Sequence, residues 1–533
     1  MKIQTIMVSV MLAATTTTAT AGGILTNTNQ SIDFLRNPAR DGAIGLDGVY
    51  SNPAGVAFLP EGFHIGVNWQ YAHQTRTITS SNPVFALGKK NNGQTTKTFE
   101  GTADAPCIPS IQVAYNKGDW SIQFNFSVPG GGGSCEFADG LGSFESVVGT
   151  ITSSFMRLDG MASQLNAATQ QLAPLYGALG MQTPDMIPTS GVMGYDMNGY
   201  MQGRQYYFGF QVGTAYKINP NLSVYGGLRL LYGTATYKAK ISNIMVGTQG
   251  GYVDFRDFLP NVPAQATSNA TVAQQHIAVI NNAENLGMAI TPELAAARQT
   301  MTDGLASLQQ SQAQLATLAK YSEGVNLLCN QSSVGIAPII GVDYKFGDFN
   351  FAAKYEFKTQ IRMKNESTVN EASEIDAVNK FKDSESVNED APAQLALGAQ
   401  WTPTDGVRLN AGWHHYFDKQ ASWYGNSQDK LSHNSNEFLA GVEWDLSDRM
   451  TVSIGGQLTR YGLTDEYMND MSFVVNSNSI GFGFSYKATD VVTLKAGYFQ
   501  TMYDNYDRVT SPTVSDSFTR TNHVLGIGCQ LDL

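Results

Sequence analysis

The sequence predicts an all-β fold: a transmembrane antiparallel β-barrel of about fourteen strands, with an N-terminal hatch, or plug, and helical insertions in its extracellular loops. Three observations carry this expectation. Segments that alternate apolar and polar residues recur fourteen times along the 533 residues, and a period of two gives a strand one greasy face and one wet face. The connections between them alternate between tight turns and long loops, the habit of antiparallel membrane barrels. Charged residues inside the strands fall on the parity opposite the apolar one, away from lipid.

Composition narrows the function classes. Charged residues make up 15% of the chain and apolar ones 42%, against roughly a quarter charged in ordinary soluble proteins. A net charge of −12 with no Lys/Arg cluster excludes a nucleic-acid-binding surface. Four cysteines, none in a CxxC pair, exclude a disulfide framework, a zinc ribbon and a thioredoxin-type site. With no Walker-type glycine loop either, neither a nucleotide nor a metal cofactor is expected.

In chain order, residues 1–21 read as a cleaved export signal: Lys2 is the basic end, Ile6 to Ala14 the apolar core and Ala19-Thr20-Ala21 the small-residue cleavage site. The mature chain then begins at Gly22. No later apolar run approaches the roughly 18 residues of a membrane helix. Residues 22–61 are too many for a frayed end, and a fourteen-stranded barrel is too wide for its own side chains to fill. This segment is therefore expected to plug the lumen of a barrel spanning residues 62–533.

The strands are expected at about 63–73, 109–116, 120–128, 205–217, 221–240, 334–345, 348–360, 393–402, 407–417, 436–446, 449–461, 477–487, 490–501 and 521–533. Trp120 to Val128 is typical, apolar at every even position. Tight turns fall at Asn116-Lys117-Gly118-Asp119, Asn219-Pro220, Phe346-Gly347-Asp348, Thr404-Asp405-Gly406, Leu446-Ser447-Asp448 and Ala488-Thr489-Asp490. Inward parity holds Arg229, Asp343, Lys354, Glu356, Lys358, Arg408, Glu443 and Lys495. Tyr and Trp at strand ends, among them Trp120, Tyr216, Trp401 and Trp444, are expected to form interfacial girdles.

Two long loops, about 129–204 and 241–333, carry helical spacing and are expected to hold two helical pairs. Their apolar faces either pack on each other or present a greasy surface to a ligand. The loop around 361–392 carries Glu371, Asp383, Glu385, Glu389 and Asp390 among its acids, and reads as a solvated outer face. Cys107 and Cys135 flank the outer ends of strands two and three and are candidates for a loop disulfide in an oxidising envelope.

The stretch Gly42-Ala43-Ile44-Gly45-Leu46-Asp47-Gly48-Val49-Tyr50-Ser51-Asn52-Pro53-Ala54-Gly55, shortly before the first strand, resembles the hatch of the FadL/TodX family of outer-membrane transporters for hydrophobic compounds. The family's Asn-Pro-Ala motif falls on Asn52, Pro53 and Ala54; a second copy stands at Asn37-Pro38-Ala39. The chain ends Gln530-Leu531-Asp532-Leu533, without the terminal aromatic residue usual in such barrels.

The resemblance implies passive uptake, at the outer membrane of a Gram-negative bacterium, of a long-chain fatty acid or another hydrophobic small molecule. Release is implied to be lateral, into the membrane lipid, through an opening beside an inward kink in the third strand and under control of the hatch. It also implies that the start of the hatch, here Gly22, Ile24 and Leu25, reaches the ligand pocket. Arg229, Lys354, Lys358, Arg408 and Lys495 are candidates to meet a ligand carboxylate, or else to pair with Asp343, Glu356 and Glu443 across the wall. No enzyme is expected, because the inward His64 and His414 have no nucleophile motif beside them. A closed barrel has no edge demanding a partner, so a monomer is expected. The alternatives are a general solute porin and a surface adhesin that uses the helical loops.

Overall fold

The computed structural model describes residues 26–319, 324–371 and 379–533. The expected export signal and Gly22, Ile24 and Leu25 lie outside them. Among the described residues fourteen antiparallel strands make one closed wall: β1 (Gly62–Ser81), β2 (Thr96–Lys117), β3 (Trp120–Phe137), β4 (Val192–Asn219), β5 (Leu222–Thr248), β6 (Val325–Phe346), β7 (Phe349–Glu356), β8 (Gln394–Thr404), β9 (Val407–Tyr416), β10 (Ser435–Ser447), β11 (Met450–Arg460), β12 (Ser477–Lys487), β13 (Val492–Tyr503) and β14 (Val514–Asp532). Short strands such as Arg362–Ser367 and Tyr506–Ser511 extend the wall at its upper rim. Closure is made by β1 on β14, from His64 opposite Asp532 to Ser81 opposite Ser515. The last residue finishes the seam, since Leu533 and Phe63 exchange both backbone hydrogen bonds at 2.7 and 2.9 Å.

All fourteen expected segments are wall strands, and the tight turns all lie at one end. Gly118, at φ +58, sits in the left-handed region that closes the β2–β3 turn. Outside, Ile122, Val334, Ile336, Phe482 and Ile527 stand with half or more of their surface exposed. Such a continuous apolar belt is a surface for hydrocarbon, not water. Near the tight turns it is bordered by Trp120 against Tyr216 and by Phe349 stacked on Trp401, with ring centroids 4.7 and 5.8 Å apart.

Several strands run past the belt, and their polarity inverts as they leave it. Along β5, the outward residues Val224, Leu228, Leu230 and Tyr232 give way to Thr234, Thr236, Lys238 and Lys240. The inward residues change from Ser223 and Arg229 to Leu231, Ala235, Tyr237 and Ala239, all buried. Alternation is unbroken while the solvent it answers to has changed from lipid to water. The upper lumen therefore has an apolar lining, which Phe144, Ile151 and Phe155 from the second long loop fill.

The second long loop holds one helix, not the expected pair: α2 (Gly142–Ala178), 37 residues long. A shorter helix, α1 (Ile32–Arg36), belongs to the hatch. The third long loop is a helical hairpin of α3 (Asn261–Asn285) and α4 (Pro292–Ala319). Apolar stripes pack on one another, Leu165, Leu172 and Tyr176 of α2 against Val272, Val279 and Ile280 of α3. At that contact His276 is hydrogen-bonded to the hydroxyls of Thr169 and Tyr176, at 2.9 and 2.8 Å.

The acidic loop departs from the expected solvated face. Glu389 and Asp390 are buried; Glu389 pairs with Lys380 at 2.6 Å, and Asp390 accepts the backbone N–H groups of Ile361 and Ser422, both at 3.1 Å. Buried carboxylates need such partners. Only part of the loop's charge, such as Glu371 and Glu385, stays exposed.

Candidate functional site

Residues 26–61 enter the barrel, and nearly every one from Asn27 to Ala57 is buried. Their backbone has little regular structure, so the lumen wall supplies hydrogen bonds that a helix or sheet would have made internally. Asn116 donates to the carbonyls of Val56 and Leu59, Gln123 to that of Pro53 and Ser223 to that of Ala54, over 2.7–3.1 Å. Asn350 donates to Gly42 O and Lys354 to Tyr50 O, each at 2.8 Å. Inward-facing glycines admit the hatch backbone: a Cβ on Gly398 would lie 2.2 Å from Gly42 N.

Asn52, Pro53 and Ala54 sit together at the end of the lumen near the tight turns. The Asn52 side chain accepts from Gly55 N–H at 3.1 Å and donates to the Asp343 carboxylate at 2.6 Å. The second Asn-Pro-Ala docks on another wall, with Asn37 against Gly441 and Gly455.

Ion pairs fasten the rest of the hatch. Arg40 binds Asp47 beside it and Glu443 of β10, at 2.8 and 2.9 Å. Arg36 binds Asp33 at 2.8 Å, and Lys495 of β13 reaches the same carboxylate at 2.6 Å. His414 of β9 lies between Asp41 of the hatch and Glu437 of β10, 2.9 Å from each. The other inward histidine, His64, bonds Asp532 at 2.7 Å and Pro60 O at 2.9 Å.

The basic residues singled out in the sequence are therefore not gathered around one open pocket. Arg229 binds Glu356 through both oxygens at 2.5 and 2.6 Å and lies over the Tyr50 ring. Arg408 bonds Asp445 and Glu443, and Lys358 sits above the end of β7 against Asp390 at 3.3 Å. Lys354 faces Tyr50, and Lys495 faces Asp33. Only a small crevice, of about 20 Å³, opens beside Arg229, lined also by Thr26, Tyr50, Pro129, Tyr207 and Gln394.

Between β2 and β3 the wall has a long interruption. β2 and β3 pair from Lys117 opposite Trp120 to Ile111 opposite Phe126, and again only from Asp104 opposite Ser134. Between these points β3 carries Pro129 and four glycines, and its register with β4 shifts twice, at Ser127/Gly130 and Gly131/Gly133. Gly131 has φ +69, and a Cβ there would lie 2.3 Å from Gln205 O, so the bulge tolerates no other residue comfortably. Proline and glycines let this run bend, and the pairing shows where the ladder opens.

The hatch takes over the hydrogen bonds that β3 lacks here. Asn27 N donates to Pro129 O at 2.7 Å. Gln30 donates to Val128 O and accepts from Val128 N, both at 3.0 Å. Behind the opening lies an apolar cluster shared by α1 and the wall, with Ile32, Phe34 and Leu35 against Ala72, Ile108 and Phe499. The arrangement is a packed apolar cluster beside an unzipped stretch of wall, with the plug on its inner side.

Cys107 lies in this opening and is exposed, while Cys135 is buried on the inner face; both are free thiols. The expected pairing is not made. Cys107 follows Pro106 at an irregularity of β2 where two successive residues turn outward, which places it on the opposite side of the wall from Cys135.

No family model matches the chain, and no curated protein matches it. Solved structures do. A Pseudomonas aeruginosa FadL homologue superposes with a TM-score of 0.52 over 96% of this chain and 100% of its own, at 10% identity. The Pseudomonas putida toluene transporter TodX gives 0.49 over 92% and 94% at 10% identity, and the Ralstonia pickettii toluene transporter TbuX 0.43 over 96% and 98% at 14%. The chain has the fold of a FadL-type barrel.

Proposed function

We propose that this protein is an outer-membrane channel for passive uptake of hydrophobic molecules, long-chain fatty acids among them, and that they leave sideways into the membrane between β2 and β3. The observation that carries the reading is the unzipped wall between Asp104/Ser134 and Ile111/Phe126, backed by the apolar cluster around Leu35 and Ile108. A polar solute has no use for a lateral exit into hydrocarbon; a greasy one is drawn through it by the hydrophobic effect. The fold shared with a FadL homologue is consistent with this. A general porin is the weaker alternative, because residues 27–57 fill the lumen and are bonded to several strands of its wall.

In this reading the hatch is the controlled element, and its tie to β3 through Asn27 and Gln30 couples its position to the opening. The test compares the intact protein with a variant lacking Gly22 to Leu59, recording ion conductance in planar bilayers and delivery of labelled fatty acid into vesicle membranes. Low conductance of the intact protein with hatch-dependent delivery supports uptake. Large steady conductance that the deletion leaves unchanged, without delivery, assigns the protein to the porins instead.

A further inference from the structure

β1 and β14 place two arginines directly opposite each other inside the barrel, Arg76 against Arg520. Both are buried, at 2% and 5% exposure. Like charges in directly opposed positions destabilise a sheet, and buried guanidinium groups are costly without an anion. Yet among the described residues neither makes an ion pair with a carboxylate. Arg76 donates to Gln74 Oε1 at 3.3 Å and faces the Phe473 ring; Arg520 donates to Phe473 O at 3.4 Å and faces the Tyr503 ring. The nearby acid Asp516 is committed to Arg508 and Ser80, at 2.5 and 2.6 Å.

Around the pair, other buried polar atoms make no hydrogen bond within the protein: Arg76 Nη2, Arg520 Nε and Nη2, Gln74 Nε2 and Tyr503 OH. These are donors or can be; one level below, Asn522 Oδ1 is an unpaired acceptor. Among the described residues the wall cations Arg229, Arg408 and Lys495 each pair with a carboxylate. We propose that Arg76 and Arg520 form a receptor for the anionic headgroup of an amphiphile, a carboxylate held by two guanidinium forks. This rests on the uptake reading above and names the ligand's polar end.

The wall below the pair supplies the rest of the ligand's shape. Descending β1 and β14, the inward pairs are Arg76/Arg520, Gln74/Asn522 and Ala72/Val524. Four residues of strand span about 13 Å. Ala72 and Val524 belong to the apolar cluster with Leu35 and Phe499 that lies behind the β2–β3 opening. An amphiphile with its head on the arginines thus lays its tail along the wall toward the exit.

The test is equilibrium binding to the full-length protein in a neutral amphipol at about pH 8, where a carboxylate is ionised, using dodecanoate, dodecan-1-ol and acetate as probes. Dodecanoate should bind about tenfold or more tighter than the alcohol. Arg520→Gln and Arg76→Gln should each shrink that preference toward unity while leaving alcohol binding unchanged, and Arg520→Lys should restore part of it. Removing one of two like charges should not hinder folding, and unchanged alcohol binding reports that the variants are folded. Equal affinity for acid and alcohol, or a preference that survives both Gln variants, overturns the headgroup site but leaves uptake of apolar compounds standing. Acetate binding as tightly as dodecanoate overturns the amphiphile assignment. Failure of the wild type to bind either long-chain probe overturns the uptake reading along with it.

Discussion

Asn52 of the hatch donates its side-chain amide to the Asp343 carboxylate of β6 at 2.6 Å. Asn350 donates to the same oxygen at 2.8 Å, and Asn52 also closes its own turn on Gly55. A single residue thereby shapes the hatch and fastens it to the wall.

Replacing Asn52 by Ala removes these two bonds and a third, to Ala43 O at 3.3 Å, and leaves Asp343 with one donor in a buried place. The expected loss is about 1–3 kcal/mol of unfolding free energy. Thermal melting in detergent should show it, and single-channel records should show transient openings absent from the wild type.

Arg229 and Glu356 form a buried pair under Tyr50. Glu356→Gln leaves an uncompensated guanidinium and should cost about 3–5 kcal/mol. Adding Arg229→Met to that variant should recover most of the loss, as measured by denaturant unfolding. A double variant no better than the single would mean that the pair does not act as a unit.

In the loops above the membrane, burial and the neighbouring Asp516 push the Asp470 carboxyl up to about 6, although it accepts the backbone N–H of Ser143 near the start of α2 at 2.7 Å. A raised carboxyl favours the folded state when protonated. Its cost is absent below about pH 4, grows between about 4 and 6, and is full above that. Acidification from about 7.5 to 5 should therefore slow amide exchange around Ser143 once intrinsic rates are corrected, and Asp470→Asn should abolish this dependence.

His276 carries the opposite sign. Burial between α2 and α3 holds its pKa below the usual 6.5. The neutral ring is the folded form, so the contact is at full strength above about pH 6.5 and weakens as pH falls below it. Amide exchange at the α2–α3 contact should quicken on acidification and lose that response in His276→Gln.

The barrel was legible because membrane and lumen impose opposite demands on alternate residues, and Trp120 to Val128 carries that imprint undiluted. The same rule concealed the two arginines of the headgroup site. Arg76 and Arg520 lie just beyond the segments recognised as strands, at the level where the outer face turns from apolar to polar and the contrast between parities fades. Continuing the inward parity of β1 past His73 would have found Arg76. The partners of Arg229 and Lys495 were not legible, because Glu356 and Asp33 meet them only after the barrel closes and the hatch enters it. For the same reason the place of the opening beside Pro129 was not legible, because it needs the register of three strands to be seen.

The most direct test of lateral exit is to staple the opening shut. In a background with the four native cysteines replaced by Ser, Ile108→Cys and Gly130→Cys place thiols on the two lips of the gap, and a short bifunctional reagent with a reducible disulfide core joins them. The account predicts that stapled protein still binds dodecanoate but no longer delivers it into vesicle membranes, and that reduction restores delivery. Undiminished delivery through the stapled wall would contradict it.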